Sequence, residues 1–158
     1  MKVAGGDQAA ACTVVAVQTA MVHVLRERMF DRERLPGRQA VLDYLRAEMA
    51  FRSSEQLRVL YLDACHGLIA DEVASSGTVA RAVFHPRLLL ARALEIGATA
   101  MILAHNHPSG RPAASSADVA ATVALEQAAR PLGIILHDHL IVASQGYTSM
   151  RDSGFLPS

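Results

Sequence analysis

The stretch "TAMILAHNHPSGRPAASSADVAATVALEQAARPLGIILHDHLIVAS" (residues 99–144) decides how this chain folds. "TAMILA" (99–104) reads as a fully apolar strand, and Pro108, Ser109 and Gly110 after it turn the chain sharply. "SADVAATVALEQAARPLG" (116–133) has the pattern of a helix, which Pro131 and Gly133 terminate. "IILHDHLIVAS" (134–144) then reads as the longest strand. Two histidines, His105 and His107, fall where the first strand ends.

Working outward, "QLRVLYLD" (56–63) and "GLIADEVA" (67–74) are short apolar runs whose connection, "ACHG", reads as a hairpin turn. "RAVF" (81–84) suggests a further short strand, and "PRLLLARALEIG" (86–97) a helix opened by Pro86 and closed by Gly97. "QGYT" reads as a turn leading into a final segment, "YTSM". Towards the N-terminus, residues 7–29 are helical in character, with Val14, Val17, Met21, Val24 or Leu25, and Arg28 or Met29 on one stripe. Pro36 and Gly37 interrupt that helix, and a second follows with Val41, Leu42, Leu45 and Met49 on one side. Helices mixed with strands and hairpins predict an α+β, αβα-layered domain with a mixed, mainly antiparallel sheet. A helical segment over residues 1–52 is expected to pack on the domain formed by residues 53–158.

The chain has 158 residues, 51% of them hydrophobic, so it can bury a core without disulfide or metal staples. Fifteen basic and fifteen acidic residues give a net charge of zero, a poor footprint for a nucleic-acid binder. The arginines at 26, 28, 32, 34 and 38 are interleaved with Glu27, Asp31 and Glu33 and read as a solvated helix end. Cys12 and Cys65 are in no paired spacing, so reduced thiols in a cytoplasmic protein are expected. "MKVAGGDQ" lacks the apolar segment of a signal peptide, and no run is expected to reach the roughly 20 residues of a membrane span.

His105 and His107 are two residues apart, so an extended backbone sends both rings to one side. Catalytic zinc takes three protein ligands and leaves a position for water. Asp118, in the first turn of the following helix, can supply the third ligand. Asp118 also reads as the capping-box partner of Ser115, and the residues alone leave both readings open. His137 and His139 repeat the His-x-His spacing, but alternation sends them to one face and Asp138 to the other, with no third ligand following. Asp138 and His139 are read either as lining the pocket or as satisfied core groups. His23, His66 and His85 are solitary, and Cys65, next to His66 in a turn, has no base-and-orienter arrangement readable around it.

The pattern His105-x-His107, seven residues, Ser115, two residues, Asp118 resembles the JAMM motif of the JAB/MPN metalloprotease superfamily. "ILAHNHPSG…P…S..D" and the later "LGI…DH.IV" are similar to its RadC branch, from about residue 54 to 149. The resemblance implies a JAB/MPN-like, cytidine-deaminase-like architecture, with one Zn2+ held by His105, His107 and Asp118. It implies hydrolysis of a peptide or isopeptide bond in a peptide or protein substrate by a zinc-activated water. It also implies an upstream catalytic glutamate, matched here by Glu72 in "LIADEVASSGT", which sequence physics alone does not prefer over Asp71 or Glu95. Glu72 would carry the proton from water to the leaving amine, and Ser115 would hydrogen-bond the developing oxyanion or the water.

Arg111 departs from the branch, which commonly has an acidic residue after "HNHPSG"; the loop borders the substrate cleft, so specificity is where a change is expected. A helix-hairpin-helix segment, which longer members carry, is not expected in this chain. The alternative to a hydrolase is a DNA-repair-associated or nucleic-acid-associated module, which the balanced charge does not favour. Neither substrate identity nor oligomeric state is legible.

Overall fold

The computed structural model describes residues 4–30, 34–77 and 85–156. Two helices, α1 (Ala4–Phe30) and α2 (Arg38–Met49), precede a hairpin of β1 (Glu55–Leu62) and β2 (Leu68–Gly77). Then follow α3 (Pro86–Glu95), β3 (Ala100–Asn106), α4 (Ser116–Ala129), β4 (Ile135–Ala143) and β5 (Gly146–Ser149). The segment "RAVF" lies outside the described residues. Pro86 opens α3, and the left-handed Gly97 and Gly133 end the turns after α3 and α4, as their lack of a side chain allows.

The five strands form one sheet in the order β2-β1-β3-β4-β5. Every neighbouring pair is antiparallel except β3 with β4, which α4 connects as a parallel crossover. α3 and α4 cover one face, where Leu89, Leu90, Ala93, Leu125 and Ala129 pack with strand residues such as Leu57, Val59 and Leu103. α2 covers the other, with Leu42, Leu45 and Met49 against Leu60, Ala104, Leu140 and Val142. The predicted αβα layers and mainly antiparallel mixed sheet are what the chain forms.

α1 departs from its reading in two ways. Of the stripe, Val14, Val17, Met21 and Val24 face solvent, and only its alternatives Leu25 and Met29 turn inward, joined by Val22, against α2. Apolar residues occur on both sides of this helix, so periodicity alone did not choose the buried one. The segment Gln8–Phe30 is also long and apolar enough, by length and composition, to cross a membrane, contrary to the expectation that no run reaches that length.

β4 also departs from the expected alternation. The β3–β4 register slips between Met101/Leu136 and Ile102/Asp138, making His137 the extra residue of a β-bulge. Alternation therefore fails there. His137 and Asp138 both line a cavity of about 360 Å³ on the α2 face with Arg38, His66, Ile102 and Leu140. His66 is accordingly not solitary: its ring meets that of His137 edge-on, with centroids 4.7 Å apart. His139 alone of the β4 triplet points into the α4 face, in register with Leu103.

Candidate metal centre

β3 delivers the two histidines to the mouth of the parallel β3–β4 pair, on the face covered by α4. His105 pairs with Leu57 and Ile141, both members of the core on that face. The His107 amide continues the pairing by donating to Val142 O at 2.9 Å. The chain then turns through Gly110, whose positive φ (+83°) suits glycine and whose missing Cβ would lie 2.9 Å from Ser144 Oγ. This close approach presses the loop against the β4–β5 turn and returns the chain to α4.

The arrangement brings His105, His107 and Asp118 together. The two Nε2 atoms are 2.8 Å apart. Asp118 Oδ1 lies 3.8 Å from the first and Oδ2 3.8 Å from the second. Ligands about 2.0–2.2 Å from a tetrahedral zinc lie roughly 3.4 Å from one another, so the observed separations bracket the required one. The donor chemistry fits as well. His107 Nδ1 is 3.0 Å from Arg111 O, and a carbonyl only accepts, so Nδ1 carries a hydrogen and the neutral ring presents its lone pair at Nε2. Burial pushes the His105 pKa down to about 4, against the opposing charge of Asp118, so its ring stays neutral at pH 7. Neutral imidazole and carboxylate are the ligands zinc takes.

Asp118 caps α4 and still turns one oxygen to the histidines, so its placement is compatible with both readings that the sequence left open. Ser115 is the N-cap of α4: its hydroxyl accepts from Asp118 N and, with its own amide at 2.8 Å, donates to Asp118 Oδ2 at 2.6 Å. The capping box therefore orients the carboxylate while Oδ1 remains turned to His105. The Ser115 hydroxyl hydrogen is committed to Asp118, not directed to an external oxyanion.

Glu72 is not among the groups brought together. It pairs with Val59, two residues along β1 from the Leu57–His105 pairing and one strand further out. Its carboxylate is gripped by Arg92 of α3, with contacts of 2.6–3.1 Å. The carboxylate that reaches the histidines is Glu55, the first residue of β1, whose oxygen lies within 4.8 Å of ligand nitrogens on both. Asp71 faces the opposite layer, closed to solvent and held by Arg58 and Tyr44. Glu95 pairs with Arg92.

Asn106, the residue between the histidines, explains how Glu55 is held there. It is fully buried, and its side chain accepts from Gln56 N at 2.8 Å and donates to Ser54 O at 3.0 Å. These two bonds bracket Glu55 and extend the β1–β3 ladder past its last backbone pairing. The "SSEQLRV" stretch carried one usable signal, an acidic residue at the mouth of an apolar strand. Its level against His107 depends on a register between distant segments.

Behind the pair lies His139, 2% exposed, with Nε2 2.8 Å from His105 Nδ1 and Nδ1 2.6 Å from Thr122 Oγ1. Burial, reinforced by the neighbouring histidines, depresses its pKa well below the usual imidazole range. Asp138 serves the sheet: it accepts from its neighbour's amide, from Ser149 Oγ and from Arg151 N.

The chain is similar to known proteins over most of its length. A family model described as RadC-like JAB domain matches residues 35–155, which takes in α2 as well as the sheet. A protein of Rhodobacter capsulatus named UPF0758 protein is 43% identical over 155 residues, covering 98% of this chain and 72% of its own length.

Proposed function

The chain belongs to the RadC-like JAB domain family, and from that premise we propose that it is a zinc-dependent hydrolase of peptide or isopeptide bonds. The observation that carries the proposal is the facing pair of imidazole nitrogens, 2.8 Å apart, with Asp118 oxygens 3.8 Å away. With the ring hydrogens on Nδ1, both Nε2 lone pairs and the carboxylate are turned to one point, the donor set that a zinc ion takes.

His105, His107 and Asp118 hold the ion in this reading, and Ser115 fixes the Asp118 carboxylate. Zinc in that position supplies a Lewis acid that brings a water's pKa to about 7 and polarises a carbonyl oxygen. Glu55 accepts the water's proton and returns it to the leaving amine. Two features favour this division of labour between the carboxylates. Asp118 is locked by its helix cap, as a ligand needs to be. Glu55 has a longer side chain and is partly open to solvent at a strand end, which suits a group that must move a proton. Glu72, held by Arg92, acts in the packing of α3 on the sheet.

The test is digestion of a mixed peptide library by the zinc-loaded chain, read by mass spectrometry of new termini. New termini are expected from the unsubstituted chain and from Glu72→Gln. Glu55→Gln is expected to keep its zinc but cleave about 10²–10⁴ times more slowly. Undiminished cleavage by Glu55→Gln, or by protein stripped of zinc, would contradict the proposal.

A further inference from the structure

Thr122, one helical turn after Asp118, lies at the inner end of a chain of hydrogen bonds that ends at the metal site. Its Oγ1 is 2.6 Å from Asp118 O and 2.6 Å from His139 Nδ1, and His139 Nε2 is 2.8 Å from His105 Nδ1. Thr122 and His139 are both buried.

The direction of the whole chain follows from its first link. A carbonyl oxygen only accepts, so the single hydroxyl hydrogen of Thr122 is given to Asp118 O. The hydroxyl can then only accept from His139, which places the ring hydrogen on Nδ1 and leaves Nε2 as an acceptor. His105 must donate to that acceptor from its own Nδ1. Its Nε2 is left bare, facing His107 and Asp118. Reversing any link would set two hydrogens or two lone pairs against each other in a layer that excludes water.

We infer that Thr122 and His139 are positioning residues that fix the ring plane and hydrogen placement of His105 so that Nε2 is presented as a ligand. The inference rests on the reading of His105 as a metal ligand. It couples two ligands: the Asp118 residue that supplies a carboxylate also supplies the carbonyl from which the His105 tautomer is dictated. Orienting a ligating imidazole through its second nitrogen is a general device for metal sites, and losing such a partner lowers affinity about 10–100-fold. A three-member relay anchored on the peptide of a second ligand is the form it takes here.

Two measurements test it. In competition with a chelating indicator, Thr122→Val, which keeps the shape and removes the hydroxyl, is expected to bind zinc about 10–100-fold more weakly. Thr122→Ser, which restores the hydroxyl, is expected to bind close to the unsubstituted chain. Thermal melts of the metal-free proteins establish that each variant is folded. Equal affinity in Thr122→Val, or a Thr122→Ser as weak as it, would overturn the relay. The second measurement needs no metal: long-range proton–nitrogen NMR spectra of the 15N-labelled, metal-free chain read each imidazole tautomer. Hydrogen on Nδ1 of both His105 and His139 is expected. Hydrogen on Nε2 of His105 would overturn the relay even if zinc binds. Absence of zinc binding by the unsubstituted chain would overturn the metal reading, and the tautomer spectrum would then decide the relay alone.

Discussion

At the scale of the residue, the site turns on small differences of place between chemically equivalent groups. Glu72 and Glu55 are both strand carboxylates on the α4 side of the sheet, yet one meets Arg92 and the other meets the histidines. The difference is register, since Leu57 pairs with His105 whereas Glu72 pairs with Val59. No local pattern encodes it, because register between segments some fifty residues apart is a tertiary property. His105, His107 and Asp118 were legible for the opposite reason: their relation is set by one strand, one turn and one helix start, each with its own punctuation. Asn106 shows what such a motif conceals. Its two bonds to the backbone around Glu55 are buried, so Asn106→Leu strands an amide and a carbonyl. A loss of about 1–3 kcal/mol of stability is expected from a denaturant melt. An unchanged melt would show that Asn106 does not hold the β1 mouth.

At the scale of the element, α4 is the piece that assembles the centre. Its N-cap supplies Ser115, its first turn Asp118 and its second Thr122, so the helix start that closes the loop also carries the proposed ligand. Ser115→Ala removes an N-cap and one of the two Ser115 bonds on Asp118 Oδ2. It is expected to cost about 1 kcal/mol in thermal stability, and to weaken zinc binding as well. A loss of stability with zinc affinity untouched would confine Ser115 to capping. The elements themselves were readable from their periodicities and breakers: Pro86 opens α3, and the left-handed Gly133 closes the turn after α4. Two features were not. The β4 bulge at His137 opens a run of three polar residues, His137 to His139, along which alternation has no apolar contrast to follow. α1 carries apolar residues on both sides, and packing against the rest of the fold decides that Val22, Leu25 and Met29 face inward.

At the scale of the whole molecule, the sheet separates two kinds of buried polar chemistry. On the α2 face, Arg58 joins Asp71, Glu48 and Tyr44 in a charged cluster that ties α2 to the hairpin. On the α4 face, burial keeps His105 and His139 neutral. That gives the metal-free protein a definite pH response. A buried imidazole with a depressed pKa takes up its proton in the unfolded chain first, so stability is full above about 6.5 and falls as the pH drops towards about 4. Melting temperatures of chelator-treated protein should decline through that window; a flat profile would show that His105 is not buried as a neutral ring. The central claim is that His105, His107 and Asp118 form one zinc site, and elemental analysis of dialysed protein after zinc loading tests it most directly. About one zinc per chain is expected in the unsubstituted protein and in Glu55→Gln, and almost none in His107→Ala. Zinc absent from the unsubstituted chain, or retained in full by His107→Ala, would contradict it.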